Sequence, residues 1–315
     1  MKMLVTGCAG FIGSHLSEKL CGMGEDVVGI DCFTDYYPKA TKEANLEKLK
    51  GCKNFKFVEA DLNEIDLELL LKDTDAVFHQ AAQAGVRASW GKSFEIYTKN
   101  NILVTQKLLE AAKKSNLKKF IYASSSSVYG DAEKLPLKET NVPKPISPYG
   151  VSKLAAEHLC YLYWKNFGVP TVSLRYFTVY GPRQRPDMAF NKFIKAVLKG
   201  EEIVVYGDGK QTRDFTFISD AIDANIAALE LASAGTIFNI GGGSRVFLID
   251  AIKTIEELAG QKAKIKYIEK QKGDVRDTLA DTSLAKSLIG YEPKVNLKEG
   301  LEEETKWMKK LFKVS

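Results

Sequence analysis

Cysteine and histidine are scarce in this 315-residue chain, and their scarcity is the first constraint on its chemistry. Five cysteines (Cys8, Cys21, Cys32, Cys52 and Cys160) form an odd, scattered set with no C-x-x-C pair. Such a set excludes a disulfide framework and a cysteine zinc site. With only His15, His79 and His158, metal chemistry loses its commonest ligand, and no metal is expected. Long apolar runs are absent too: none approaches the roughly 20 residues that a membrane span needs. From Met1 the chain reaches the glycine turn at Gly7 too quickly to hold a secretory leader. Blocks of lysine and arginine are missing, and Trp90, Trp164 and Trp307 show no stacking pattern. The net charge of +5, from 45 basic and 40 acidic side chains, therefore suits a small anionic ligand without requiring nucleic acid. These absences predict a cytoplasmic, metal-free protein with neither a membrane nor a nucleic-acid partner.

What is present is ordinary globular composition, 45% hydrophobic and 27% charged, in a chain long enough for a large domain and a smaller one. Apolar β-branched runs predict strands at 2–6, 27–31, 55–59, 76–79, 120–124 and 171–176. Between them, apolar residues recur at spacings of three and four over 14–23, 67–72, 101–114 and 152–167, the helical period. Strand–helix alternation of this kind predicts an α/β protein, a doubly wound parallel sheet covered by helices on both faces. After Tyr176 the texture changes. A turn-rich break at 181–186 is followed by a predicted helix at 189–198. Short strands at 203–206 and 265–268 are expected in a second, smaller sheet, and 237–240 reads as a return to the large one. The expected division is 1–176, with a return at 216–241, against a discontinuous mixed α/β domain over 177–315. The last stretch, 306–313, has the pattern of an amphipathic terminal helix.

The first strand runs into Thr6-Gly7-Cys8-Ala9-Gly10-Phe11-Ile12-Gly13. Gly7 suits the tight turn, Gly10 lets backbone approach a pyrophosphate, and Gly13 lets helix and strand pack closely. The helix opening at Phe11 and Ile12 then offers free N–H groups to phosphate. The strand before and the helix after give this pattern the context it needs to mean nucleotide binding. Asp31 ends the second strand, 18 residues beyond Gly13, where a carboxylate accepts from ribose hydroxyls. It would repel a 2′-phosphate, so NAD is expected and not NADP. Asp61 and Leu62 lie just past the third strand, where Asp61 either reaches the adenine or caps a helix. Gln80-Ala81-Ala82 places small residues where backbone would meet the cofactor. Cys8 and Cys32 read as space-fillers, and His79 as a satisfied core residue.

Tyr149 and Lys153 are four residues apart, one turn on one helix face. Alone, such a pair is a solvated face. A lysine ammonium beside a phenol, with a positive nicotinamide nearby, would instead pull the tyrosine from about 10 toward neutrality and make it a general base. The run Ser124–Ser127, at the C-terminal end of a predicted parallel strand where ligands of open α/β sheets bind, favours the second reading.

In that order the motifs resemble the extended short-chain dehydrogenase/reductase family, and within it the NAD-dependent nucleotide-sugar 4-epimerases. The resemblance runs through 6–13, 79–87, 124–130, 149–153, 174–181 and 207–215, essentially the whole chain. It implies a Rossmann-type cofactor domain, with Tyr176 also at the NAD site, and a homodimer paired through the helices at 101–114 and 152–167. It implies that Ser125 bonds the sugar 4-hydroxyl, that Tyr149 takes its proton while hydride leaves carbon 4, and that hydride returns to the other face of the 4-keto sugar. Related dehydratases carry Asp-Glu after the catalytic Ser or Thr. Ser126 and Ser127 stand there in this chain, so dehydration is not expected.

The stretch 177–190 looks most like UDP-glucuronate 4-epimerases. A hexuronate adds one carboxylate, which Arg185 and Thr178 suit. Arg185 could instead pair with Asp187 or solvent, and Arg87 and Arg183 have weaker claims. Ala189, Phe190, Val205 and Tyr206 resemble the segments that hold uracil, and Arg213 the diphosphate arginine. Gln271 stands where many relatives have a further arginine, for which Arg276 is the candidate replacement. UDP-glucose or UDP-N-acetylglucosamine are the alternative substrates. A decarboxylase and a non-catalytic NAD-binding protein are the remaining alternatives.

Overall fold

The computed structural model describes residues 1–131 and 134–314. In chain order its strands are β1 (Lys2–Thr6), β2 (Asp26–Asp31), β3 (Phe55–Glu59), β4 (Ala76–His79), β5 (Lys119–Ser125), β6 (Thr171–Tyr176), β7 (Thr178–Tyr180), β8 (Glu202–Tyr206), β9 (Thr212–Phe217), β10 (Ile237–Ile240), β11 (Arg245–Phe247) and β12 (Lys264–Ile268). Seven of them form one sheet in the order β10-β6-β5-β4-β1-β2-β3. Every pairing in it is parallel.

The residues explain that sheet. β1 and β4 are almost wholly buried, as a parallel sheet covered on both faces requires. Alternate side chains then serve two cores. Met3, Val5, Phe78 and Ile121 pack with Leu16 and Leu20 of the helix Phe11–Gly22. Leu4, Val77, Phe120 and Tyr122 pack with Leu108, Ala156 and Cys160 on the opposite face. From β1 the chain winds outward through β2 and β3, then returns to place β4 on the other side of β1. A crevice opens at such a switch point, outside the carboxyl ends of the strands.

The expected six strands are present with ends shifted by at most a residue, and 237–240 lies beside β6 as β10. The predicted helix at 152–167 begins earlier, at Pro148. Ser147 Oγ accepts from Gly150 N at 3.1 Å and proline occupies the first turn, while Gly168 at φ 73° stops the helix. The stretch 101–114 is not one regular helix: Thr98–Leu103 is a π-turn, and the α-helix follows at Val104–Ala112.

Beyond Tyr176 the expectation was incomplete. β8 and β12 do pair, in parallel, but they stand apart from a second group, β11-β9-β7, that the sequence pattern did not disclose. Around it Tyr180, Phe190 and Phe215 form an aromatic cluster, with Phe190 and Phe215 ring centroids 4.4 Å apart. The terminal amphipathic helix is Leu297–Phe312, opened by a capping box between Asn296 and Glu299. Its buried Glu304 accepts from Gly181 N at 2.9 Å and so fixes the turn that follows β7. Among the described residues no helix is long and apolar enough to cross a membrane, and no group of His, Cys, Asp or Glu could hold a metal.

Candidate active site

The glycine turn sits at the switch point between β1 and β4. Gly7 takes φ +70° and its N–H donates to Ile30 O at 2.8 Å, which turns the chain back over β2. A Cβ at Gly13 would stand 2.1 Å from Gly7 O, so only glycine lets the helix start this close to the strand. A Cβ at Gly10 would meet only Gly7 O, at 3.1 Å, and would otherwise project into free space. Thr6 stitches the cradle together: Ala81 N donates to its Oγ1 at 3.1 Å, and His79 Nδ1 lies 2.8 Å from it. Burial pushes His79 down to about 3 and keeps it neutral among Thr6, Thr105 and the rings of Phe120 and Tyr122. It is a core residue, as its place at a strand end suggested.

Around this cradle one cleft gathers Gly7, Gly10, Phe11, Ile12, Gly13, Asp31, Asp61, Leu62, Gln80, Ala81, Ala82, Tyr149, Lys153 and Tyr176. All the sequence-derived cofactor residues therefore line a single space. Asp31 accepts from Ala9 N at 3.2 Å and Phe33 N at 2.8 Å, while burial raises its pKa. Asp61 is not a helix cap. It accepts from Asn63 N at 2.8 Å in a local turn, and Asp66 caps the next helix. Gln80 Nε2 donates to Asn225 Oδ1 at 3.2 Å, and Asn225 Nδ2 lies 2.7 Å from the Tyr176 hydroxyl. Backbone glycines at a helix start, a carboxylate at the end of β2 and small residues after β4 fit a dinucleotide.

Lys153 follows Tyr149 by one helical turn, and Ser125 ends β5 beside them. Lys153 Nζ donates to Ala123 O at 2.8 Å, and its burial brings it down to about 7. Burial raises the Tyr149 pKa, while a hydrogen bond with Ser125 and the charge of Arg185 lower it. Below Ser125, a buried ion pair locks the sheet: Arg175 Nη2 lies 2.6 Å from Glu157 Oε1, and Ser124 Oγ donates to Glu157 Oε2 at 2.5 Å. Tyr129 receives Arg175 Nη1 at 2.7 Å and donates to Asn239 at 2.7 Å, so every charge in the network is partnered.

Arg185 also lines the cleft. Its Nε and Nη2 meet the two carboxylate oxygens of Asp187, each at 2.9 Å. Other sequence-derived residues lie outside that lining. Thr178 opens β7, and Ser126 begins a 3-10 turn after Ser125. Phe190 and Val205 have side chains closed into the core, so they can present only backbone to a base, and Ala189 starts the helix that carries Phe190. Arg213 donates to the carbonyls of Thr212, Val275 and Arg276, and Arg276 pairs with Asp208 at 3.2 Å. Arg87 pairs with Asp274 at 2.7 Å and stacks 3.8 Å above the Tyr206 ring. Arg183 turns away to Glu18 and Ser14.

Several participants escaped the sequence reading. Tyr36 and Tyr37 line the cleft from the segment after β2, where two adjacent aromatics in a predicted loop were the available signal. Tyr97 packs edge-on to Tyr149 with centroids 6.2 Å apart and donates to Gly85 O at 2.8 Å. Asn101, in the π-turn, accepts from Gln83 N at 2.7 Å and donates to Ser152 Oγ at 2.9 Å. Single-turn π segments recur at functional sites. Here one delivers an amide that joins the loop after β4 to the Tyr149 helix.

The chain matches the model of the NAD dependent epimerase/dehydratase family over residues 3–241. It is 44% identical over 314 residues to an uncharacterized UDP-glucose epimerase, YtcB, of Bacillus subtilis, covering 99% of both chains. It is 40% identical over 310 residues to a UDP-glucuronate 4-epimerase of Thermodesulfobacterium geofontis, covering 97% of this chain and 95% of the other. Among solved structures, UDP-glucuronic acid 4-epimerase from Bacillus cereus in complex with UDP-glucuronic acid and NAD superposes with a TM-score of 0.97. The two are 48% identical over 99% of this chain and 100% of that one.

Proposed function

This chain belongs to the NAD dependent epimerase/dehydratase family, and from that premise we propose that it converts UDP-glucuronate to UDP-galacturonate. Its cofactor is NAD and its reaction class is 4-epimerisation of a UDP-sugar, in keeping with the relatives named above. When bound, NAD supplies the acceptor and later the donor of hydride at carbon 4, so no net redox change results. We assign the cradle of 1–176 to the cofactor and the residues of 177–315 to the sugar nucleotide, with β10 returning to the large sheet.

The single observation that carries the choice of substrate is that Arg185 and Tyr149 line the same cleft. Carbons 4 and 5 of a hexuronate are neighbours, so the group that takes the 4-hydroxyl proton and the group that holds the carboxylate on carbon 5 must also be neighbours. Tyr149 is assigned as the base, Ser125 as the group that bonds the sugar 4-hydroxyl, and Lys153 as a positive charge on the cofactor side. Loss of the hydroxyl proton to Tyr149 together with hydride from carbon 4 would leave a 4-keto sugar that is also a β-keto acid, prone to lose carbon dioxide. A guanidinium fixing the carboxylate's orientation protects the product from that loss. Thr178 and Ser126 are assigned to the sugar. Ala189, Phe190, Val205 and Tyr206 are assigned to the base, and Arg213 and Arg276 to the diphosphate, while Arg87 keeps its weaker claim on the carboxylate.

Arg185→Ala tests the reading. Loss of a charge-assisted bond lowers kcat/KM for UDP-glucuronate by about 10- to 100-fold. Inhibition by UDP-glucose, which lacks the carboxylate, is expected to change by no more than about threefold on the same grounds. Equal losses for both nucleotides would remove Arg185 from carboxylate recognition.

A homodimer fits the exposed apolar side chains on the two segments named for it: Leu103 lies in 101–114, and Tyr161, Leu162 and Phe167 lie in 152–167, each more than two-fifths exposed in the single chain. Placement in the cytoplasm is supported by five free, scattered thiols.

A further inference from the structure

Building on the hexuronate reading, we propose that Asp187 is a positioning residue: it holds one edge of the Arg185 guanidinium, held in turn by Tyr36, so that the opposite edge meets the substrate carboxylate. A guanidinium is a flat fork of five N–H donors with two edges that each fit a carboxylate. Asp187 takes the side edge, Nε to Oδ1 and Nη2 to Oδ2, both at 2.9 Å. Both Nη1 hydrogens and the second Nη2 hydrogen form the other edge, with no hydrogen-bond partner among the described residues. Two acids can therefore share the one cation without displacing each other. The internal pairing, which looked like a rival to substrate binding, becomes its preparation.

Asp187 is itself fixed. The Tyr36 hydroxyl donates to its Oδ2 at 3.2 Å, reaching from the segment after β2 across the cleft. That reach is open only because residue 85 is glycine: a Cβ there would stand 2.2 Å from the Tyr36 oxygen. Without Asp187, the long arginine side chain would have to be ordered each time substrate binds, and that cost falls on substrate affinity. The chemical step would keep its machinery.

The test uses the purified full chain with saturating NAD, and follows UDP-glucuronate turnover in wild type, D187N, D187E and Y36F. The D187N change sets an amide donor against Nη2, so it is expected to raise KM about tenfold and leave kcat within about threefold. Y36F, which removes one oxygen atom and tests the chain even if D187N fails to fold, is expected to raise KM about threefold. D187E, which restores the carboxylate, should recover part of the loss, and the inhibition constant of UDP-glucose should stay at the wild-type value throughout. An unchanged or lowered KM in D187N, or kcat falling as far as KM rises, would overturn the positioning role while leaving UDP-glucuronate as substrate. Wild-type protein that does not turn over UDP-glucuronate at all would instead overturn the substrate reading, and this role with it.

Discussion

Tyr149→Phe is expected to lower kcat about a thousandfold while the protein keeps its fold and its NAD. General acid–base catalysis contributes typically about 10²–10⁴-fold, and no other described group can replace this one. Lys153 is bonded to Ala123 O at 2.8 Å, and Ser125 is a hydroxyl whose own basicity is negligible at neutral pH. His79 is enclosed by Thr6 and Thr105, and burial holds it neutral down to about 3. The phenyl ring of the variant keeps the edge-on contact with Tyr97, so the melting temperature should match wild type. Single-turnover assays with UDP-glucuronate, beside a titration of NAD binding, check both halves. A kcat within about tenfold of wild type would mean that the proton goes elsewhere.

The second large effect is at Gly13. Its substitution by alanine puts a methyl group 2.1 Å from Gly7 O and 2.8 Å from Gly7 C, backbone atoms that cannot swing aside as a side chain would. Either the helix Phe11–Gly22 moves off β1 or the turn unwinds, and both destroy the row of N–H groups offered to a pyrophosphate. Overpacking typically costs about 1–3 kcal/mol and more where backbone must move. G13A should therefore melt several degrees lower and lose NAD affinity by at least about a hundredfold. Gly10→Ala makes the contrast: its methyl meets protein only at 3.1 Å, so the fold should survive while the occupied cradle rejects NAD. Wild-type NAD binding in G13A, measured by tryptophan fluorescence quenching, would contradict the cradle geometry.

Much of this was legible from residues because the constraints are local. A glycine turn between an apolar strand and a helix has few meanings, and an acid ending β2 has fewer. β1 to β6 are rich in β-branched and aromatic residues, and their pattern stands out from the helices between them. What escaped detection has non-local causes. β7 and β11 are three residues each, too short for any period, and β9 carries Arg213 and Asp214 because both find buried or backbone partners only after folding. The two candidate roles of Arg185 could not be separated in sequence, since Asp187 is two residues away whatever the fold. The proposal that both hold together rests on the placement of Tyr36 and on Asp187 taking only one edge of the fork. Spacing likewise placed Lys153 on the same helix face as Tyr149 but could not show that its ammonium donates to the β5 backbone.

The measurement that bears most directly on the account is incubation of the purified protein with UDP-glucuronate and no added reductant, followed by proton NMR. The account predicts that UDP-galacturonate grows in to a steady ratio with the starting sugar, without release of carbon dioxide. No turnover of UDP-glucuronate, alongside conversion of UDP-glucose or UDP-N-acetylglucosamine, would contradict the carboxylate role of Arg185.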